Sequence, residues 1–128
     1  MKFKAASRLV VSFGILACAL GTAGSVSAGQ GEDRFGAIAY SPDTRSYGWA
    51  YKKLSRVDAE YAAMGQCAKH GDDCRVATWF RNSCGALATG AKGWGAASAP
   101  SRAEAEDKAM NLCYNRGDGC KILTSTCA

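Results

Sequence analysis

Ser55-Arg56-Val57-Asp58-Ala59-Glu60 and Ser101-Arg102-Ala103-Glu104-Ala105-Glu106 are two versions of one hexapeptide, 46 residues apart. The match runs on at the same spacing: Ala63 with Ala109, Met64 with Met110, Cys67 with Cys113, Gly71 with Gly117, Asp72 with Asp118, Cys74 with Cys120. Upstream, Gly36-Ala37-Ile38-Ala39 answers to Gly85-Ala86-Leu87-Ala88 and Gly48-Trp49 to Gly93-Trp94, with small changes of spacing that belong in turns. One unit occurs twice, and both copies call for the same supersecondary element.

Ser55 and Ser101 stand three residues before Asp58 and Glu104, the capping-box spacing that satisfies free amides at a helix start, so a helix is predicted after each. Val57, Tyr61, Met64 and Ala68 recur at helical spacing beside Ala59, Ala63 and Cys67, and the second helix repeats the small face with Ala105, Ala109 and Cys113. Small residues let a helix lie close on a sheet. Before each helix come two β-prone runs, Phe35 to Ser41 with Tyr47 to Lys52, and Cys84 to Thr89 with Gly93 to Ser98. Pro42-Asp43 and Gly90-Ala91-Lys92 supply the turns between them. Gly71 and Gly117 end the helices, and Cys74 to Phe80 and Cys120 to Thr126 form closing strands with Val76, Ile122 and Leu123 as core candidates. The fold class expected is α+β: two tandem β-β-α-β repeats related by pseudo-symmetry. Trp49 and Trp94, at matching positions of the repeat, are expected in its core.

The flanking sequence sets the compartment. Lys2, Lys4 and Arg8 precede an apolar run from Leu9 to Leu20, and small residues then lead to Val26-Ser27-Ala28, the order of a secretory signal peptide cleaved after Ala28. Ile15-Leu16-Ala17-Cys18 loosely matches a lipoprotein box, but the apolar run continues beyond Cys18 and the later site is better. The apolar run is too short to span a bilayer, so no transmembrane segment is expected. The domain plan is therefore 1–28 signal, 29–34 flexible segment, and 35–127 a single domain of two repeats, 35–80 and 84–127. The protein is expected in the periplasm or the medium.

After residue 28 six cysteines remain, Cys67, Cys74, Cys84, Cys113, Cys120 and Cys127. An even count in an exported chain reads as disulfides, with 15 formal connectivities. The repeat narrows them, because Cys67 with Cys74 and Cys113 with Cys120 tie a helix end to the next strand in the same way twice. Cys84 and Cys127 are left for each other. A right-handed crossover puts the third strand antiparallel to the first, on its free side, which brings Cys127 beside Cys84. In the first repeat the equivalent neighbours are Phe35 and Arg81. Loop entropy gives about 2.5 kcal/mol for each short bridge and about 4 kcal/mol for the long one. Zinc ligation would ask for closer cysteine spacing, and a thioredoxin-type site for Cys-x-x-Cys.

Assembled chemistry is harder to find. After the signal thirteen Lys and Arg face eleven Asp and Glu, alternating in sign, which makes nucleic acid a poor partner. His70 is the single histidine and sits in a charged loop. Gly85-Ala-Leu-Ala-Thr-Gly90-Ala-Lys92 imitates a phosphate loop without its Gly-Lys-Ser/Thr ending. Asp72-Asp73 and Asp118 offer too few oxygens for calcium, and Asp58/Glu60 with Glu104/Glu106 offset helix dipoles. No catalytic residue, metal or cofactor is expected. The residues the repeat does not share are more telling: Tyr40, Tyr47, Tyr51, Lys52, Lys53, Trp79, Phe80 and Arg81 mix aromatics with cations, the composition of protein-binding surfaces.

Gly36-Ala37-Ile38-Ala39-Tyr40, Gly48-Trp49, the Ala-rich stretch to Cys67, Cys74-Arg75-Val76 and Cys84-Gly85-Ala86-Leu87-Ala88 together resemble the small exported bacterial proteins grouped as domain of unknown function 4189. The resemblance covers residues 35–127. It implies an exported β-α repeat domain and brings no catalytic residues with it. The function expected is a non-enzymatic protein-binding module: an inhibitor, an immunity factor or a secreted effector. The alternatives are a cell-envelope enzyme using His70 or paired carboxylates, and a structural envelope component. Neither the partner's identity nor the oligomeric state follows from the sequence.

Overall fold

A computed structural model describes residues 32–128, so the signal segment and its cleavage site lie outside the described residues. The first unit runs β1 (Phe35–Ser41), β2 (Ser46–Lys53), α1 (Arg56–Ala68), β3 (Arg75–Arg81); the second runs β4 (Cys84–Thr89), β5 (Trp94–Ala99), α2 (Arg102–Tyr114), β6 (Lys121–Cys127). Both predicted caps form: the Asp58 amide donates to Ser55 Oγ at 3.1 Å and the Glu104 amide to Ser101 Oγ at 3.2 Å.

Each unit makes its own three-stranded antiparallel sheet, ordered β2-β1-β3 and β5-β4-β6, so the last strand of each unit joins the free side of the first. In β1 and β4 the pleat sorts side chains onto two faces. Ala37, Ala39 and Ala50 pack against Ala59, Ala63 and Cys67 of α1, and Ala86, Ala88 and Ala99 against Ala105, Ala109 and Cys113 of α2. The opposite faces meet each other through Ile38, Tyr40, Phe80 and Leu87. The result is four layers, helix-sheet-sheet-helix, with larger buried side chains between the sheets, and under the helices a buried centre of alanine and cysteine bordered by partly buried Phe35, Met64, Met110 and Ile122.

The small face has a steric cause. A Cβ at Gly48 would overlap the Ala63 carbonyl oxygen and the Cys67 amide nitrogen, and one at Gly95 would meet the same atoms of Ala109 and Cys113. Each helix backbone rests almost directly on its sheet, so larger residues are displaced from the contact. Val57 and Tyr61, regularly spaced along α1, are accordingly 73% and 83% exposed, and Val76 also faces solvent. Helical spacing of apolar residues was therefore a poor guide to the buried face here, and residue size a good one.

Strand register corrects a second expectation. Ala39 pairs with Gly48 and Ala88 with Gly95, which makes Gly48 and Gly95 the equivalent positions. Trp49 then corresponds to Ala96, and Trp94 to Tyr47. The Gly-Trp dipeptides match in sequence but not in space, because the first unit's hairpin is longer. Its β2 also carries an irregularity opposite Gly36, where Lys52 adopts φ 54°.

Three disulfides join Cys67 to Cys74, Cys113 to Cys120 and Cys84 to Cys127, the last two residues being direct partners across β4 and β6. Phe35 and Arg81 are partners at the equivalent place in the first sheet. Disulfides persist in oxidising compartments and are rare in the cytosol, so the folded chain belongs to a non-cytoplasmic, oxidising environment. Among the described residues no helix is long and apolar enough to cross a membrane.

Candidate functional site

The eight aromatic and basic residues singled out in the first unit do not form one surface. Tyr40 and Phe80 are buried between the sheets. The Tyr40 ring meets Trp94 edge-on at 5.5 Å, and its burial raises the phenol pKa although Arg45 pulls it down. Phe80 fills the space over two backbones, since a Cβ at Gly36 or at Gly85 would strike its ring. Both are core residues and leave the candidate surface. The remaining six divide between β2 and β3, the two outer strands of one sheet with β1 between them.

On β3, Trp79 and Arg81 have structural partners. The Arg56 guanidinium lies 4.3 Å from the Trp79 ring centroid and also pairs with Glu60 at 2.6 Å. The second unit uses the equivalent arginine for the same purpose: Arg102 donates to Ser125 O at 2.8 Å and Ser125 Oγ at 2.9 Å, while Ser125 Oγ donates to Glu106. Glu60 and Glu106 are thus engaged in tethering helix to sheet. Arg81 pairs with Asp33, whose carboxyl also accepts from Asn82 Nδ2 at 2.9 Å. Asn82 first and Arg81 second hold the Asp33 pKa below its ordinary value.

On β2 the arrangement is different. Tyr47 and Trp49 pair with Tyr40 and Ile38, so by alternation Tyr47, Trp49 and Tyr51 share one face of this outer strand. The Tyr47 and Trp49 rings stack at 6.0 Å with 24° between their planes. Trp49 is 37% exposed and Tyr51 48%, and Lys52 lies 5.8 Å from the Tyr51 centroid. A cleft of about 360 Å³ opens beside them, lined by Arg45, Ser46, Tyr47, Trp49, Gln66 and His70. The Trp49 amide donates to Gln66 Oε1 at 2.6 Å, so α1 itself occupies the strand's outward hydrogen-bonding position there. Trp49, Gln66 and Arg45 were missed as members of this site. For Trp49 the misleading signal was its apparent twin at Trp94; for Gln66 and Arg45 nothing in the sequence pointed to β2.

Among the described residues the His70 side chain has no hydrogen-bonded partner and Ser46 Oγ is bonded to Thr44 Oγ1 at 3.0 Å. No three of His, Cys, Asp and Glu among the described residues converge as metal ligands would.

The fold has a counterpart among solved structures. The NMR structure of Rv1813c from Mycobacterium tuberculosis is similar to this chain at a TM-score of 0.55 and 28% identity, over 74% of this chain and 75% of that one. No curated protein matches the chain. Residues 35–127 match the model of the Domain of unknown function (DUF4189), and the chain belongs to that family.

Proposed function

We propose that this protein is an exported, non-enzymatic binding module that docks another protein through the β2 edge of its first unit. One observation carries the reading: two units share a scaffold, yet seven of the nine large apolar side chains exposed among the described residues belong to the first. Trp49 and Tyr51 have Ala96 and Ser98 as their counterparts. A fold alone would not need that difference, and exposed aromatics grouped with cations are costly unless something covers them. β2 holds Lys52 and Lys53 and no acidic residue, and Arg45 adjoins it. The chemistry that fits is an acidic protein surface with apolar positions that reach the Tyr47-Trp49 ledge. With Gln66 on the edge and the irregularity at Lys52, recognition runs through side chains and not through an added strand. The disulfides preorganise the surface, which reduces the ordering cost of association.

The test pairs capture with measured affinity. Partners recovered from the envelope or medium by the native protein are identified, purified and titrated against Trp49→Ala/Tyr51→Ala and, separately, Trp79→Ala/Arg81→Ala. The β2 pair should weaken binding at least tenfold with the fold intact, and the β3 pair much less. Unchanged affinity of the folded β2 double variant overturns the proposal. An envelope enzyme remains the competing reading because His70 lines the same cleft. His70→Ala separates the two: an enzyme should lose turnover of envelope substrates, whereas a docking surface built on Trp49 and Tyr51 should lose far less affinity than the β2 double variant does.

A further inference from the structure

A second cleft, of about 360 Å³, lies where the β1–β2 turn meets the β4–β5 turn. Its walls include Arg45 from the first turn, Lys92 and Gly93 from the second, Arg116 from the segment after α2, and the Tyr40 and Trp94 rings. It brings together cations from three separated stretches of chain. No acidic side chain lines it, and among the described residues none of the three cations takes part in an ion pair. Asp43 and Asp73 line a neighbouring cleft that shares Tyr40, Pro42 and Trp94 with this one.

The fold fixes the backbone positions from which these three exposed cations extend. A Cβ on Gly93 would overlap Arg116 Cβ, and one on Gly117 would lie 2.7 Å from Lys92 Cβ. The two glycines therefore let the β4–β5 turn and the segment after α2 interlock, which sets Lys92 and Arg116 beside each other. The Arg116 guanidinium sits 5.3 Å from the Trp94 centroid, a contact that orients it along the aromatic wall. Opposite, Arg45 adopts φ 58°, a left-handed backbone that an arginine rarely takes. Thr44 Oγ1, bonded to Ser41 Oγ at 2.9 Å and to Ser46 Oγ at 3.0 Å, fixes the turn in that shape. Like charges gathered around one concavity focus a positive potential into it.

We infer that this cleft binds the phosphate group of a small phosphorylated molecule. Two guanidinium forks and an ammonium match the several oxygens and the charge of a phosphate monoester better than a single carboxylate. Tyr40 and Trp94 supply an apolar wall for the organic part of the ligand. The site overlaps the protein-docking surface on β2 at Arg45 alone.

The three tryptophans make the test internal, because Trp94 lines this cleft while Trp49 and Trp79 do not. Indole N–H resonances of the full folded domain are followed by NMR as phenyl phosphate, inorganic phosphate, benzoate or sodium chloride is added at matched ionic strength. The Trp94 signal should move saturably with phenyl phosphate, and Lys92→Gln/Arg116→Gln should raise that Kd at least tenfold. Equal affinity for inorganic phosphate would mean that the oxyanion alone is read, and tighter phenyl phosphate that the ring wall contributes. Either supports the site. If the double variant fails to fold, Lys92→Gln alone should still weaken binding severalfold. The inference is overturned by no saturable Trp94 shift with either phosphate, by benzoate or chloride acting equally, or by variants that bind as the native chain does.

Discussion

The open ends of the two sheets are closed by different chemistry at equivalent places. In the second unit Cys84 and Cys127 face each other across β4 and β6 and are bonded, and the Ala128 amide donates to Ser83 O just beyond them. In the first unit Phe35 and Arg81 hold that position, and the Asn82 amide donates to Arg34 O in the place of the Ala128 bond. A polar clamp replaces the sulfur: Asp33 binds Arg81 and Asn82, and the Arg34 amide donates to Asn82 Oδ1 at 2.8 Å. One geometry tolerates a covalent and a non-covalent closure. The two should therefore fail under different conditions, reduction for one and acid for the other.

The largest difference between the units is in the layer they share. Phe80 spans Gly36 and Gly85, while its counterpart Thr126 is a much smaller residue opposite Gly85 in register. One ring, from the first unit, covers both glycines. Phe80→Ala should cost toward the upper end of about 3–5 kcal/mol, because strand backbones on both sides cannot collapse into the void. Thr126→Ala should cost under about 1 kcal/mol. Urea unfolding of the two variants measures both, and similar losses would mean that Phe80 does not fill the layer between the sheets more than Thr126 does.

Next comes the covalent closure. Replacing Cys84 and Cys127 together by Ala should remove about 4 kcal/mol, against about 2.5 kcal/mol for Cys67 with Cys74 or Cys113 with Cys120, since the long bridge closes the larger loop. Amide exchange should show β4 and β6 fraying while β1 and β3 stay protected by the polar clamp. Equal losses from all three pairs would show that the long crosslink is not the principal restraint on the unfolded chain.

The repeat, the caps at Ser55 and Ser101 and the pairing of Cys84 with Cys127 all followed from spacing, because each depends on backbone geometry that spacing encodes. The separation into two sheets, with Ile38 and Leu87 meeting between them, did not: alternation shows that a strand has two faces, not what covers each. The buried face of α1 was obscured because Val57 and Tyr61 outweigh Ala59 and Ala63 in hydrophobicity, and only the proximity of Gly48 shows why the alanines win. Of the proposed surface, composition picked out the unit that carries most of the exposed large apolar side chains. It could not tell Tyr40 and Phe80, turned inward, from Tyr47 and Tyr51, because neighbouring strands and the second sheet decide what remains exposed.

The smallest effect tests the non-covalent closure. Asp33 titrates below its ordinary value near 3.8, held there by the Asn82 side-chain Nδ2 and then by Arg81. A depressed carboxyl pKa in the folded state means that the clamp's contribution is present above the unfolded value and is lost as pH falls through the folded one. Because the carboxyl is exposed, the change in global stability should be slight, and the local signal is the one to follow. A carbon-detected titration of Asp33 should give a midpoint under 3.8, and Asn82→Ala should move it up further than Arg81→Gln. As pH drops through that midpoint, amides at Arg34 and Asn82 should lose protection while those beside Cys84 and Cys127 do not. Loss of protection at both ends together would show that acid acts on the shared layer between the sheets and that the clamp is not a separate closure.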